Sequence, residues 1–108
     1  MGKFEIFNDA KGGFRFRLKA TNGQVILASQ GYKEKAGCTN GIESVKKNSQ
    51  DSVKFETLQS KSGEWYFNLK STNGQVVGTS QMYSSETAMK IGIESVGNNA
   101  PDAEIVEE

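Results

Sequence analysis

The sequence predicts an α+β domain made of two tandem copies of one strand-rich unit, sharing a single antiparallel sheet with two helices packed on one face. Three observations carry this expectation. Sliding the 108-residue chain against itself by 51 positions aligns it without a gap. Each copy contains a strictly alternating apolar and polar run, and each then changes to helical spacing.

The duplication is extensive. Leu18 falls on Leu69, Thr21-Asn22-Gly23-Gln24-Val25 on Thr72-Asn73-Gly74-Gln75-Val76, and Gly41-Ile42-Glu43-Ser44-Val45 on Gly92-Ile93-Glu94-Ser95-Val96. The match reaches back to Lys3-Phe4-Glu5 on Lys54-Phe55-Glu56. The expected organisation is one domain over 1–108, with a first repeat at 3–53 and a second at 54–108. A unit of about 50 residues is marginal alone, so the two should share a core about a pseudo-twofold axis.

Each unit opens with a strand-like segment, KFEIFN or VKFETLQ, followed by a glycine-bearing turn, DAKGG or SKSGE. The next segment alternates: Phe14, Phe16 and Leu18 on one face against Arg15, Arg17 and Lys19, and likewise Trp65, Phe67 and Leu69 against Tyr66, Asn68 and Lys70. A period of two with one apolar face describes a half-buried antiparallel strand. Asn-Gly then predicts a type I′ hairpin turn, which needs positive φ at both central residues. A third strand, QVILASQ or QVVGTSQ, returns. The Ser-Gln pairs 29–30 and 80–81 that precede Tyr32 and Tyr83 have no structural reading at this stage.

Cys38, Gly41, Ile42 and Val45, and equally Met89, Gly92, Ile93 and Val96, recur at the spacing of one helix face. Ser84 is expected to cap the second helix, with Tyr83 stapled against Ala88. The first helix should be softer, because Lys33 stands at the equivalent of the cap and Gly37, Thr39, Asn40 and Gly41 are weak helix formers. Asn48 and Asn99 are expected to end the helices in left-handed conformation. The shared helix glycines should allow close approach of helix backbone to sheet. AEIVE, at 103–107, is read as a closing strand.

Composition bounds the function. Thirteen basic residues balance thirteen acidic ones, so no global charge draws the chain to nucleic acid or membrane. The charge is uneven: residues 1–53 hold nine basic against five acidic residues, and residues 54–108 four against eight. This asymmetry either favours head-to-tail contact or is drift on a solvated surface. One cysteine allows no internal disulfide, and no apolar run approaches the length that crosses a bilayer. The N-terminal segment has neither a signal-peptide pattern nor the Ser or Thr that myristoylation wants at the sixth position. A cytoplasmic protein is expected.

The tandem unit FRFRLKATNGQVILASQGY and WYFNLKSTNGQVVGTSQMY, each followed by GIESV, resembles the YegP-like family of small bacterial proteins over essentially the whole chain. That resemblance implies a β-β-β-α-β motif present twice, one shared sheet, and exchange of C-terminal strands between the motifs. It implies no activity, since the family is one of unknown function. The departures from it are Lys33 and Gly37-Cys38.

The absence of histidine removes the commonest general base and most zinc sites. Cys38 is read as a small core hydrophobe. Glu43 and Glu94 could pair about the twofold axis as acid and base, but read more simply as helix-surface charges paired with Lys47 and Lys90. An enzyme would need a deep pocket holding Glu43, Glu94 or Tyr83. No catalytic residue, metal or cofactor is expected. The candidate binding surface is the polar face of the second strands, Arg15, Arg17 and Lys19 with Tyr66, Asn68 and Lys70. A non-enzymatic interaction domain with a protein or peptide partner is the leading reading, and single-stranded nucleic acid on the open face the alternative. No membrane partner is expected, and the oligomeric state should be monomer or weak dimer.

Overall fold

The computed structural model describes residues 2–107, so Met1 and Glu108, the outermost positions of the expected 1–108 domain, lie outside it. The elements run β1 (Lys3–Asn8), β2 (Phe14–Lys19), β3 (Val25–Ala28), α1 (Lys35–Asn48), β4 (Phe55–Gln59), β5 (Trp65–Lys70), β6 (Val76–Thr79), α2 (Glu86–Asn99) and β7 (Glu104–Glu107), with a single 3-10 turn at Ser52–Lys54 before β4. The strands form one sheet in the order β4-β5-β6-β3-β2-β1-β7.

At the centre β3 pairs antiparallel with β6, Ala28 opposite Thr79. These positions are 51 apart, the repeat length, so the pseudo-twofold axis passes between them and runs perpendicular to the sheet. An axis in that direction leaves both helices on the same face. Each helix delivers its following strand to the opposite half: β4 pairs with β5, and β7 pairs with β1. The expected exchange is therefore present, but the sheet is mixed where an antiparallel one was expected, because β7 runs parallel to β1. The cause is where the chain arrives. After α2 it enters the sheet at the end where β1 begins, with Glu104 N–H donating to Gly2 C=O at 3.4 Å, and only a parallel course remains.

All four hairpins use one turn. Gly12, Gly23, Gly63 and Gly74 carry φ of 82°, 85°, 89° and 84°, and no other described residue has positive φ. In each, the glycine N–H donates to the carbonyl three residues back, as Gly23 does to Ala20 at 2.9 Å, and the flanking pair closes behind it, as Ala20 N–H does on Gln24 C=O at 2.9 Å. This is a type I turn with a glycine bulge, not the expected type I′ turn. Asn22 and Asn73 stay at negative φ, and each accepts from the backbone N–H two residues on.

The Ser-Gln pairs now have a structural role. Ser29 Oγ accepts from Phe16 N–H at 2.9 Å and donates to Gln30 C=O at 2.8 Å. Ser80 does the same with Phe67 N–H at 3.0 Å and Gln81 C=O at 2.7 Å. The hydroxyl replaces a main-chain acceptor where the third strand leaves the ladder. Tyr32 and Tyr83 then rejoin it opposite Phe14 and Trp65.

Both helices differ locally from expectation. The N-cap of α2 is Ser85, whose side chain accepts from Ala88 N–H, not Ser84, so Ser84 and not Tyr83 takes the position before the cap, and Tyr83 instead reaches Gly92. Glu34 caps α1 with no side-chain hydrogen bond. Asn48 and Asn99 are not left-handed; both helices run on in right-handed conformation into Ser49 and Ala100. Each asparagine instead bonds back to Ser44 or Ser95 and accepts at 3.4 Å from a threonine hydroxyl in the other repeat's turn, Thr72 for Asn48 and Thr21 for Asn99. The helix glycines make room for tyrosine, not for the sheet backbone: a Cβ at Gly41 or Gly92 would collide with the hydroxyl of Tyr32 or Tyr83. Those rings stack on Phe16 and Phe67 with centroids 6.3 Å apart. Between helices and sheet, Phe4, Phe16, Leu27, Phe67, Met89 and Val96 are among the fully buried side chains.

Candidate binding surface

The helix-covered face takes Phe14, Phe16 and Leu18, so the alternation of β2 and β5 turns Arg15, Arg17, Lys19, Tyr66, Asn68 and Lys70 to the other face, which no described element covers. The strand registers draw one row straight across it: Val106, Glu5, Arg17, Ala28, Thr79, Asn68 and Glu56. Arg17 and Asn68 thus share a row, separated by Ala28 and Thr79. Arg15 and Tyr66 stand diagonally opposite each other about the axis. The six residues share a face, but in two patches.

Each patch is organised by a carboxylate that sequence reasoning did not single out. Arg17 Nε meets Glu5 Oε1 at 2.6 Å, Lys19 Nζ approaches the same oxygen at 3.2 Å, and Lys3 Nζ lies 3.9 Å from Oε2. The Glu5 side chain is only 6% exposed. The hydrogen bond from Arg17 holds its carboxyl below the ordinary value, against burial, which pushes the other way. That shift favours the folded state above the ordinary carboxylate range, and the benefit is lost as pH falls through the lowered value. Arg17 also lies 4.7 Å over the Phe7 ring, closing off that aromatic surface. The available sequence signal was the alternation of Lys3 and Glu5 with Phe4 and Ile6, which puts Glu5 on the polar face of β1; that it stands opposite Arg17 comes from the strand register.

Arg15 is freer: its side chain is 48% exposed and 3.6 Å from Asp9. Asp9 is itself held by backbone N–H donors from Gly13 and Lys11, and the Gly13 bond is the main reason its pKa is lowered. In the second patch Asn68 and Lys70 both reach Glu56 at 3.3 Å, lowering its pKa, and Thr79 donates to Asn68 at 2.8 Å.

The other candidates remain apart. Glu43 and Glu94 are exposed, line different clefts, and form no ion pair among the described residues, so the expected Lys47 and Lys90 pairings are not made. Cys38 is buried, which pushes its thiol pKa up, the opposite of what a nucleophile needs. Tyr32 is shifted upward by burial as well. No group of three or more metal-ligating side chains occurs among the described residues, and no described helix is long and apolar enough to cross a membrane.

A domain of unknown function (DUF1508) matches the chain twice, over residues 9–56 and 60–107. A UPF0339 protein from the 5′ region of the ptx operon of Stutzerimonas stutzeri is 61% identical over 106 residues, covering 98% of this chain and 96% of that protein. UPF0339 protein YegP of Escherichia coli O157:H7 is 43% identical over 98 residues, covering 91% and 89%. Two solution NMR structures share the fold. One, a UPF0339 protein from Shewanella oneidensis, has a TM-score of 0.93 at 44% identity and covers 98% of this chain and 90% of that one. The other, E. coli YegP, described as of unknown function, has a TM-score of 0.94 at 38% identity and covers 99% and 92%. With matching sequence, matching repeats and matching fold, the chain belongs to the YegP-like UPF0339 family, bacterial proteins of unknown function built from two DUF1508 repeats.

Proposed function

We propose that this domain is a non-enzymatic, cytoplasmic binding module that takes a protein or peptide partner on its uncovered sheet face. One observation carries the reading: a seven-stranded sheet packed on one side only, with a small-residue centre at Ala28 and Thr79 flanked by charged patches. Such a face suits a mixed-charge protein surface. It suits single-stranded nucleic acid less well, since Arg17 and Lys19 are both already engaged by Glu5, and Phe7 lies under Arg17 where a base would stack.

A photo-crosslinking residue at the exposed Ala28 tests this in native extract. The expected result is a discrete protein adduct, lost on Arg15→Glu/Lys70→Glu in a chain of unchanged melting behaviour. No such adduct, or salt-sensitive binding of a labelled single-stranded oligonucleotide that disappears with Arg15→Glu/Arg17→Glu, would replace the reading.

A further inference from the structure

The two ends of the sheet are unequal. At one end β7 lies along the outer edge of β1 in parallel register, from Lys3 opposite Glu104 to Ile6 opposite Glu107. At the other end β4 is the last described strand. Yet β1 and the segment leading into β4 begin alike, Lys3-Phe4-Glu5 and Lys54-Phe55-Glu56. Burial marks the difference. Phe4, Glu5 and Ile6 are buried, whereas Phe55 is half-buried and Glu56 and Thr57 are exposed. Ile42 on α1 is fully buried, but its counterpart Ile93 is not, and with Phe55 it lines an open cleft at the start of β4.

The hydrogen-bond phase of β4 is set by its neighbour. Trp65 and Phe67 spend their backbone groups on the β6 side, in bonds to Tyr83 and from Ser80. Tyr66 and Asn68 therefore bond to β4, opposite Leu58 and Glu56. Thr57 and Gln59 are left with N–H and C=O directed away from the sheet. Phe55 N–H is already returned to Ser52 C=O. Residues 55–59 carry neither proline nor lysine to blunt the edge.

We propose that the outer edge of β4 is a strand-docking site for an extended segment of another protein. The segment runs parallel to β4, places an apolar residue beside Phe55, and carries a basic residue two positions later. Direction and apolar position follow from the seated β7, whose Ile105 lies opposite Phe4. The charge follows from the helix above. Glu107 of β7 pairs with Lys35 in the first turn of α1, and the counterpart of Lys35 in α2 is Glu86. The β7 of a second copy would bring Glu107 against Glu86, so the occupant is a different chain. Strand addition of this kind draws affinity from main-chain bonds and selectivity from alternate side chains. The site is separate from the uncovered face and does not depend on it.

The test titrates the isotope-labelled full chain with two peptides, PDAEIVK and the chain's own PDAEIVE, following backbone amides by NMR. The largest shifts should fall on Thr57 and Gln59, with PDAEIVK binding about fivefold more tightly, the scale of one exposed ion pair. Glu86→Lys should reverse the preference, and Thr57→Pro, which removes an outward donor and none of the donors facing β5, should abolish the shifts. Equal affinity for both peptides overturns the proposal. So do shifts at Phe4 and Ile6 in place of β4, no response at millimolar peptide, or protection of Thr57 and Gln59 that grows with protein concentration alone.

Discussion

Ser29 and Ser80 each satisfy a buried strand N–H with a hydroxyl, at the point where the main chain bulges away before a core tyrosine. Removing the hydroxyl leaves the buried N–H of Phe16 or Phe67 without its acceptor. An unsatisfied buried donor costs about 1–3 kcal/mol, more than the net worth of an average hydrogen bond. Ser29→Ala and Ser80→Ala should each lower the unfolding free energy by that amount, and because they lie in equivalent sites the two losses should be similar. Urea unfolding measures both; a loss within error of zero in either would mean that the bulge relaxes onto a main-chain acceptor. The residue-scale logic was hidden in sequence for a simple reason. Serine before a tyrosine reads as a polar strand end, and only the ladder shows that a bulge of two residues must be bridged.

The two helices make an internal comparison, since one fold position is filled twice. Ser85 caps α2 with a side-chain bond to Ala88 N–H, and Glu86 adds an acidic group to its first turn; Glu34 gives α1 no such bond, and α1 has no acid in its first turn. A cap of this type contributes about 1 kcal/mol. Glu34→Ser should therefore stabilise the protein by about that amount and slow amide exchange over 37–39, while Ser85→Ala should cost about the same. No gain from Glu34→Ser, read by chemical denaturation, would remove the account of α1 as the under-capped helix. At this scale much was legible from the sequence. The six strands of the repeats, both helices and the closing strand stand where period and glycine placed them, because alternation and the 3.6-residue stripe report burial directly. The turn type was not legible, since Asn-Gly serves both a type I′ turn and the second half of a type I turn with a glycine bulge. Nor was the direction of β7, which depends on where α2 ends. The six candidate surface residues do share one face, as their alternation required, but their division into two carboxylate-centred patches needed the register across strands.

A sheet with a twofold axis through its centre must solve a packing problem that neither repeat meets alone: the same sequence position comes close to itself. Here Leu27 and its counterpart Gly78 flank the axis on the helix-covered face, and a Cβ added at Gly78 would sit 2.7 Å from Leu27 Cγ. Two large side chains do not fit, and two small ones leave a void. The duplicated chain has broken its own symmetry at the one place where symmetry is most costly. This gives a coupled prediction. Gly78→Leu alone should overpack the axis and cost about 1–3 kcal/mol. Leu27→Gly alone should open a cavity and lose about 2–5 kcal/mol, with the backbone cost of glycine added. The exchanged pair, Leu27→Gly/Gly78→Leu, places the large side chain on the other side of the axis and should be destabilised by less than the sum of the two single changes. The coupling energy from a double-mutant cycle in urea should be at least about 1 kcal/mol in the restoring direction. Additive losses would mean that the two halves pack independently, and the sheet would then be two units joined at Ala28 and Thr79, not one core divided between two repeats.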